Sequence, residues 1–316
     1  MTDARAASWL AGLAELGPFF AVQSHLPGAT LPAPWRPGSE LARPSAALAA
    51  RIDAVRTALA RTALARTAQP RTAQARSALA GTERAGTDLA GTDLAGRGRR
   101  GGGGGLGAVE VEPRVAGSVA HLGLTARLIA PALGAAVLRC PVDVRLAGLW
   151  WQDELGGAMP LSVPAPAGTG LDAAALVRAG PEPRGPAGGG AGQALGDRDW
   201  ERMLLDGAIA PVTAAVARLV PVSWRVLWGN VASAVNTAAA QVARQRPDLA
   251  PEAWRTAGRL LADPRLHAES CPPGPRFRRS SCCLFYRLAP GEPAAICGDC
   301  VLAARRPAGH QRRGNG

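Results

Sequence analysis

The sequence predicts a mainly α chain with a small antiparallel β-hairpin or meander, an α+β class that ends in a C-terminal cysteine loop. Three observations carry this prediction. Apolar residues recur at helical spacing over several long stretches, a short alternating stretch surrounds a Trp-Trp pair, and five of the six cysteines fall in the last fifth of 316 residues.

Near the N-terminus Arg5 precedes an apolar run, the outline of a signal peptide, but Glu15 interrupts the run and no clean small-residue cleavage site follows. A helix is expected from about Ser45, because Leu48, Ile52, Val55 and Leu59 share one helical face. Residues 56–95 then repeat every five, from RTALA to GTDLA, and Gly- and Arg-rich residues continue to Gly105. A period of five matches neither helix nor strand, and Pro70 blocks a helix running through it. The first repeat units can extend the preceding helix; the rest reads as solvated linker.

Residues 112–138 read as a long helix bent at Pro131. Val142, Val144 and Leu146 alternate, and Trp150-Trp151 with a Gly156-Gly157 turn leads to Leu161 and Val163, which suggests the hairpin. Strand geometry sends the two tryptophans to opposite faces, with one buried. Core packing is expected for them and for Trp224 and Trp228, which lie four apart on a helix. A Gly/Pro-rich loop covers 179–196, and helices resume over 199–219, 223–245 with Ser223 as N-cap, and 251–261 with Pro251 in the first turn. The expected organisation is therefore an N-terminal part over 1–55, a low-complexity insertion over 56–105 and a helical platform with the Trp hairpin over 106–264. A cysteine segment over 265–304 and an Arg-rich tail over 305–316 complete it.

All 36 basic residues are arginine, and the formal net charge is +12. Much of that charge lies in the repeat tract and the tail. With one Tyr and four Phe there is little to stack on bases, so the composition argues against a nucleic-acid partner. No membrane span is expected, because His121 with Arg127, and Arg218 with Arg225, interrupt the two longest apolar stretches. A cytoplasmic location follows as the expectation. There thiols stay reduced, and clustered cysteines bind metal more readily than they form disulfides.

Cys282-Cys283, thirteen residues, then Cys297-Gly298-Asp299-Cys300 form one pattern. Four such thiolates suit zinc, copper(I) or an iron–sulfur cluster. An adjacent pair in place of a first CxxC knuckle leans toward a centre with two metal atoms, although spacing alone leaves zinc and iron–sulfur open. Cys271 is a possible substitute ligand, and Cys140 reads as a small buried hydrophobe. His25, His121, His267 and His310 show no ligand spacing, and no dinucleotide or phosphate-binding glycine motif is present.

The stretch FRRSSCCLFYRLAPGEPAAICGDCVL, residues 277–302, resembles the C-terminal signature of the FhuF-type ferric-siderophore reductases. Residues 111–138, 148–164 and 222–235, with LGPFFAVQSHLPG near the start, are similar to further segments of actinobacterial members. The thirteen-residue interval is longer than the family's usual one, a change that loop entropy tolerates. The resemblance implies a [2Fe–2S] cluster on Cys282, Cys283, Cys297 and Cys300, and an oxidoreductase that passes one electron to a ferric siderophore. It further implies a separate flavoprotein or ferredoxin-type electron donor. Arg278, Arg279 and Arg287 flank the motif as candidate contacts for an anionic partner or chelate, and as cations that raise the cluster's potential. The competing readings are a zinc-stapled non-enzymatic protein and a cluster-bearing carrier or sensor with no siderophore site.

Overall fold

Caps and prolines mark the helix boundaries. Ser45 Oγ accepts from Leu48 N–H (3.1 Å) to start one helix, and Ser223 Oγ accepts from Val226 N–H (3.4 Å) to start another. Pro113 and Pro251 occupy first turns, where their missing N–H has no helical partner to lose. The computed structural model describes residues 3–68, 110–140, 142–165, 197–266, 272–289 and 297–302. Its helices are α1 (Asp3–Glu15), α2 (Ala46–Ala68), α3 (Pro113–Val137), α4 (Asp197–Leu204), α5 (Ala210–Leu219), α6 (Trp224–Gln245) and α7 (Ala250–Leu261). The protein is mostly helical with a small sheet, an α+β fold. The expectations for the linker beyond residue 68, the 179–196 loop, Cys271, His267, the interval between the cysteine pairs and the tail fall wholly or largely outside the described residues.

The N-terminal run and, as expected of an extended helix, the first repeat units both join the helical core. The N-terminal apolar run forms α1, and Leu13, Leu16 and Phe20 pack over Gly134 of α3, where a Cβ would lie 2.7 Å from Phe20. α2 runs to Ala68 with Leu59 and Ala63 buried, so the first repeat units belong to the core.

The sheet is mixed, in the order β1 (Gln23–His25), β4 (Leu161–Pro164), β3 (Trp150–Trp151), β2 (Arg36–Pro37). Its antiparallel β3–β4 centre is the expected hairpin, with Trp151 opposite Leu161. The outer strands come from the N-terminal segment, β1 parallel to β4 and β2 antiparallel to β3. Strands of 3 and 2 residues are too short to display alternation. His25 ties β1 to its neighbours. Its Nε2–H donates to the Gly148 carbonyl (3.1 Å), which leaves Nδ1 to accept from Ser162 Oγ (2.8 Å).

Trp151 is buried with the guanidinium groups of Arg36 and Arg51 each 5.9 Å from its ring. Trp228 is covered by Arg265 at 5.4 Å, but Trp224 is 52% exposed, contrary to the core packing expected for it. The reason is positional: Trp224 opens α6, and the first turn lies outside the apolar contact that begins at Leu227.

Pro211 has no N–H to give the carbonyl of Gly207 four residues back. A π turn over Leu205–Ile209 follows, and that carbonyl accepts from Leu146 N–H (3.1 Å), docking the segment before the sheet on the α4–α5 junction. The approach is close: a Cβ on Gly207 would lie 2.6 Å from Arg145 Cγ.

α3 packs against α2, α5, α6 and α7. Among the described residues it is long and apolar enough to cross a membrane, yet 72% of its most apolar window is buried in the fold. It carries buried polar groups of its own. Arg127 donates from Nε to Met159 O (2.6 Å), from Nη1 to Phe19 O (2.7 Å) and from Nη2 to Ala21 O (2.5 Å), so one guanidinium joins α3 to the N-terminal segment and the sheet loop. Replacing it by methionine strands three carbonyls and should cost about 3 kcal/mol or more in denaturant unfolding. A loss below about 1 kcal/mol would show that the carbonyls find water instead.

His121 is fully buried. Thr213 Oγ1 donates to Ile209 O (2.7 Å), so it accepts Nε2–H of His121 (3.0 Å). Burial lowers the imidazole pKa to about 3 from an unfolded value of 6.5. A depressed folded value means that this group's contribution to stability is complete above pH 6.5. It declines as pH falls from 6.5 toward 3, by up to about 1.4 kcal/mol per pH unit. His121→Gln should flatten that part of the acid unfolding curve; an unchanged slope would exclude His121 as its source.

Candidate metal centre

The two cysteine pairs are built alike. After Cys283 the backbone turns left-handed at Leu284 (φ 69°), a conformation uncommon for a non-glycine residue, and Leu284 N–H then faces Cys282 Sγ at 3.3 Å. In the second pair Cys300 N–H closes a tight turn onto Cys297 O (3.0 Å), and Leu302 N–H faces Cys300 Sγ at 3.4 Å. The halves then meet sulfur to sulfur. Cys283 Sγ lies 3.0 Å from Cys297 Sγ and Cys282 Sγ lies 3.8 Å from Cys300 Sγ. Both distances far exceed a disulfide bond of about 2.05 Å, and all four are free thiols. Cys283, Cys297 and Cys300 are buried, and half-buried Cys282 forms the edge nearest solvent.

These contacts make the thiols titrate as a set. Hydrogen bonds from Cys282 and Cys297 hold Cys283 well below the usual thiol range, and the bond from Cys282 lowers Cys300. Cys282 and Cys297 are pushed up correspondingly, chiefly by the same contacts. Metal binding displaces the protons that these thiols carry.

Helices α3 and α6 carry the loop. Ser118 Oγ of α3 donates to Cys283 O (2.8 Å), and Ser281 Oγ donates to Arg225 O of α6 (2.8 Å). Asn230 of α6 donates through Nδ2 to Ser118 O (2.9 Å) and Oγ (3.1 Å), and its Oδ1 accepts from Arg279 Nη1 (3.0 Å). Gly229 is needed because a Cβ there would collide with Ser281 Oγ. At the far end Arg287 Nε pairs with Glu112 at the start of α3 (2.7 Å), and the Arg287 and Arg114 contacts hold that carboxyl below its usual range.

The three flanking arginines therefore separate. Arg278 is exposed, with Nη1 on the Phe277 carbonyl (2.9 Å), and Arg287 is engaged with Glu112. Arg279 is 3% exposed, so it offers nothing to a docking partner, and its Nη1 is engaged by Asn230. Cys140 lies apart in the main core, its thiol pushed up to about 11 by burial. The sequence reading assigned Ser118, Gly229, Asn230 and Ser281 no place at the site. The signal available was a Ser and an Asn, each flanked by apolar residues of a helix.

A two-iron cluster needs four thiolates, two to each metal, and surroundings that donate to sulfur. The residues present fit. Two sulfur pairs each join one member of the CC to one of the CxxC, N–H groups face sulfur in both halves, and Arg279 keeps two buried N–H-bearing nitrogens without partners.

The family model of the FhuF 2Fe-2S C-terminal domain matches residues 279–302, a span that contains all four cysteines. No curated protein and no solved structure matches the chain.

Gly229→Ala should lower cluster content while helical circular dichroism is kept, because the new Cβ displaces Ser281 Oγ and lifts the loop. Ser281→Ala added to it removes the clashing atom, so the double variant should lose less than the two single variants summed. Strict additivity would show that the loop does not rest on Gly229.

Proposed function

We propose, from the match of residues 279–302 to the FhuF 2Fe-2S C-terminal domain, that this chain reduces ferric siderophores by one-electron transfer and so releases Fe(II). Cys282, Cys283, Cys297 and Cys300 hold the cluster in this reading, and their two-pair sulfur geometry is the observation that carries it. When bound, a [2Fe–2S] cluster supplies one electron at a time without proton or hydride chemistry. The substrate's Fe(III) is a hard, highly charged ion held by oxygen donors. Gaining one electron makes it Fe(II), which those donors hold far less tightly, so reduction and release are one event. A separate one-electron donor of flavoprotein or ferredoxin type restores the protein, and the reaction is assigned to the cytosol.

The chain's own residues supply docking and access. Half-buried Cys282 is the sulfur nearest solvent, and Phe285 packs against the cysteines while also lining a groove of about 200 Å³. Val55 and Leu59 of α2 and Val119, Gly123 and Ala126 of α3 form its apolar walls, a surface suited to the organic shell of a chelate. Arg278 is the exposed arginine assigned to steering an anionic complex.

Anaerobically purified protein should show the absorption of a [2Fe–2S] centre and, once reduced, an S = 1/2 EPR signal. Cys297→Ser should abolish both and Cys140→Ser neither. Stoichiometric zinc in colourless protein, after reconstitution has failed, would establish the zinc-stapled alternative. Mixed with ferric hydroxamate, catecholate or carboxylate chelates, the reduced protein should be oxidised as Fe(II) appears in a ferrous trap. Gly123→Phe, placed where a Cβ meets no neighbour, should slow that step with an unchanged spectrum. A reduced cluster that persists with all three chelate classes identifies a carrier or sensor instead.

A further inference from the structure

A charged side chain as buried as Arg279 normally has every donor engaged. Arg279 does not. Its backbone N–H donates to Asp299 O (3.1 Å), tying the CC half of the loop to the CxxC half, and Nη1 donates to Asn230 Oδ1 (3.0 Å). Nε and Nη2 are buried with no hydrogen-bond partner. Leaving two N–H-bearing nitrogens of a cation unmet is costly; of the other buried arginines, Arg127 has Nε, Nη1 and Nη2 all engaged and Arg51 leaves only Nε buried and unmet.

The surroundings identify what is missing. Asn230, which takes Nη1, is bonded to Ser118, and Ser118 Oγ holds the Cys283 carbonyl. Asp299, which takes the Arg279 backbone N–H, stands between Cys297 and Cys300, so both anchors of Arg279 are tied to the cysteine loop. Asp299 Oδ1 is also buried without a partner, so a direct pairing of these two side chains is the rival explanation.

We infer that Arg279 is a hydrogen-bond donor to the sulfur of the bound cluster, aimed by Asn230 as its positioning residue, and that it raises the cluster's reduction potential. This rests on the reading that Cys282, Cys283, Cys297 and Cys300 hold the cluster. Adding an electron increases the negative charge of a four-thiolate centre. A guanidinium fixed beside it stabilises the reduced state more than the oxidised one, and does so strongly where water is excluded. Arginine suits the task because its charge persists at all working pH values and its fork serves an amide and sulfur together. Asn230 binds Ser118 with Nδ2 and Arg279 with Oδ1, so the helix seam that holds Cys283 O also sets the direction of the donor.

The direct test uses the full chain with arginine carrying 15N in its guanidinium group. Pulsed EPR of the reduced protein should show 15N coupling to the cluster, lost in Arg279→Lys and kept in Asp299→Asn. Arg279→Gln should shift the one-electron equilibrium against a redox mediator about tenfold toward the oxidised cluster, about 59 mV. Asn230→Ala should move it the same way by less. A normal cluster signal without 15N coupling overturns the inference and leaves Asp299 as the partner, even if Arg279→Gln fails to fold. Absence of any cluster signal in the unsubstituted protein overturns the ligand reading itself.

Discussion

Ser118 of α3 and Asn230 of α6 meet across an otherwise apolar helix seam, and the cysteine loop hangs from that meeting. A polar side chain in such a seam must be paired, and Asn230 can satisfy its amide only by facing Ser118. The pairing sets the rotation of both helices. It leaves three anchors on one side: Ser118 Oγ for Cys283 O, Asn230 Oδ1 for Arg279, and the bare backbone of Gly229 for Ser281. Since consecutive helical residues point about 100° apart, moving either side chain by one position would scatter these anchors.

Small residues make the seam and its surroundings possible. Gly117, Gly134 and Gly207 each lie where a Cβ would collide with a neighbouring element, and the lost side-chain contact is exchanged for close backbone approach. The sheet is joined to the helical layer by the same economy of backbone groups. Pro211 withholds one N–H, and the freed Gly207 carbonyl takes Leu146 instead. Helix irregularity and sheet attachment are thus one feature.

Two buried arginines show how satisfaction separates structural from functional groups. Arg127 donates to three carbonyls, and its charge is spread over backbone dipoles that would otherwise be unmet. Arg279, similarly buried, uses Nη1 on Asn230 and leaves Nε and Nη2 without a partner.

Local chemistry was legible without coordinates. Pro113, Pro251 and Ser223 mark helix starts because missing N–H groups and capping hydroxyls act within a single turn, and the cysteine spacing with its flanking residues identified a cluster motif because ligand geometry is written in neighbouring positions. Strands of 3 and 2 residues gave no period to read, and β1 and β2 exist only because β4 and β3 offer them partners. Arg278 and Arg279 are adjacent and chemically identical in sequence. One is exposed and the other buried because the residue on α6 that receives Arg279, Asn230, is 49 positions away, and only packing of the loop on that helix brings the two together.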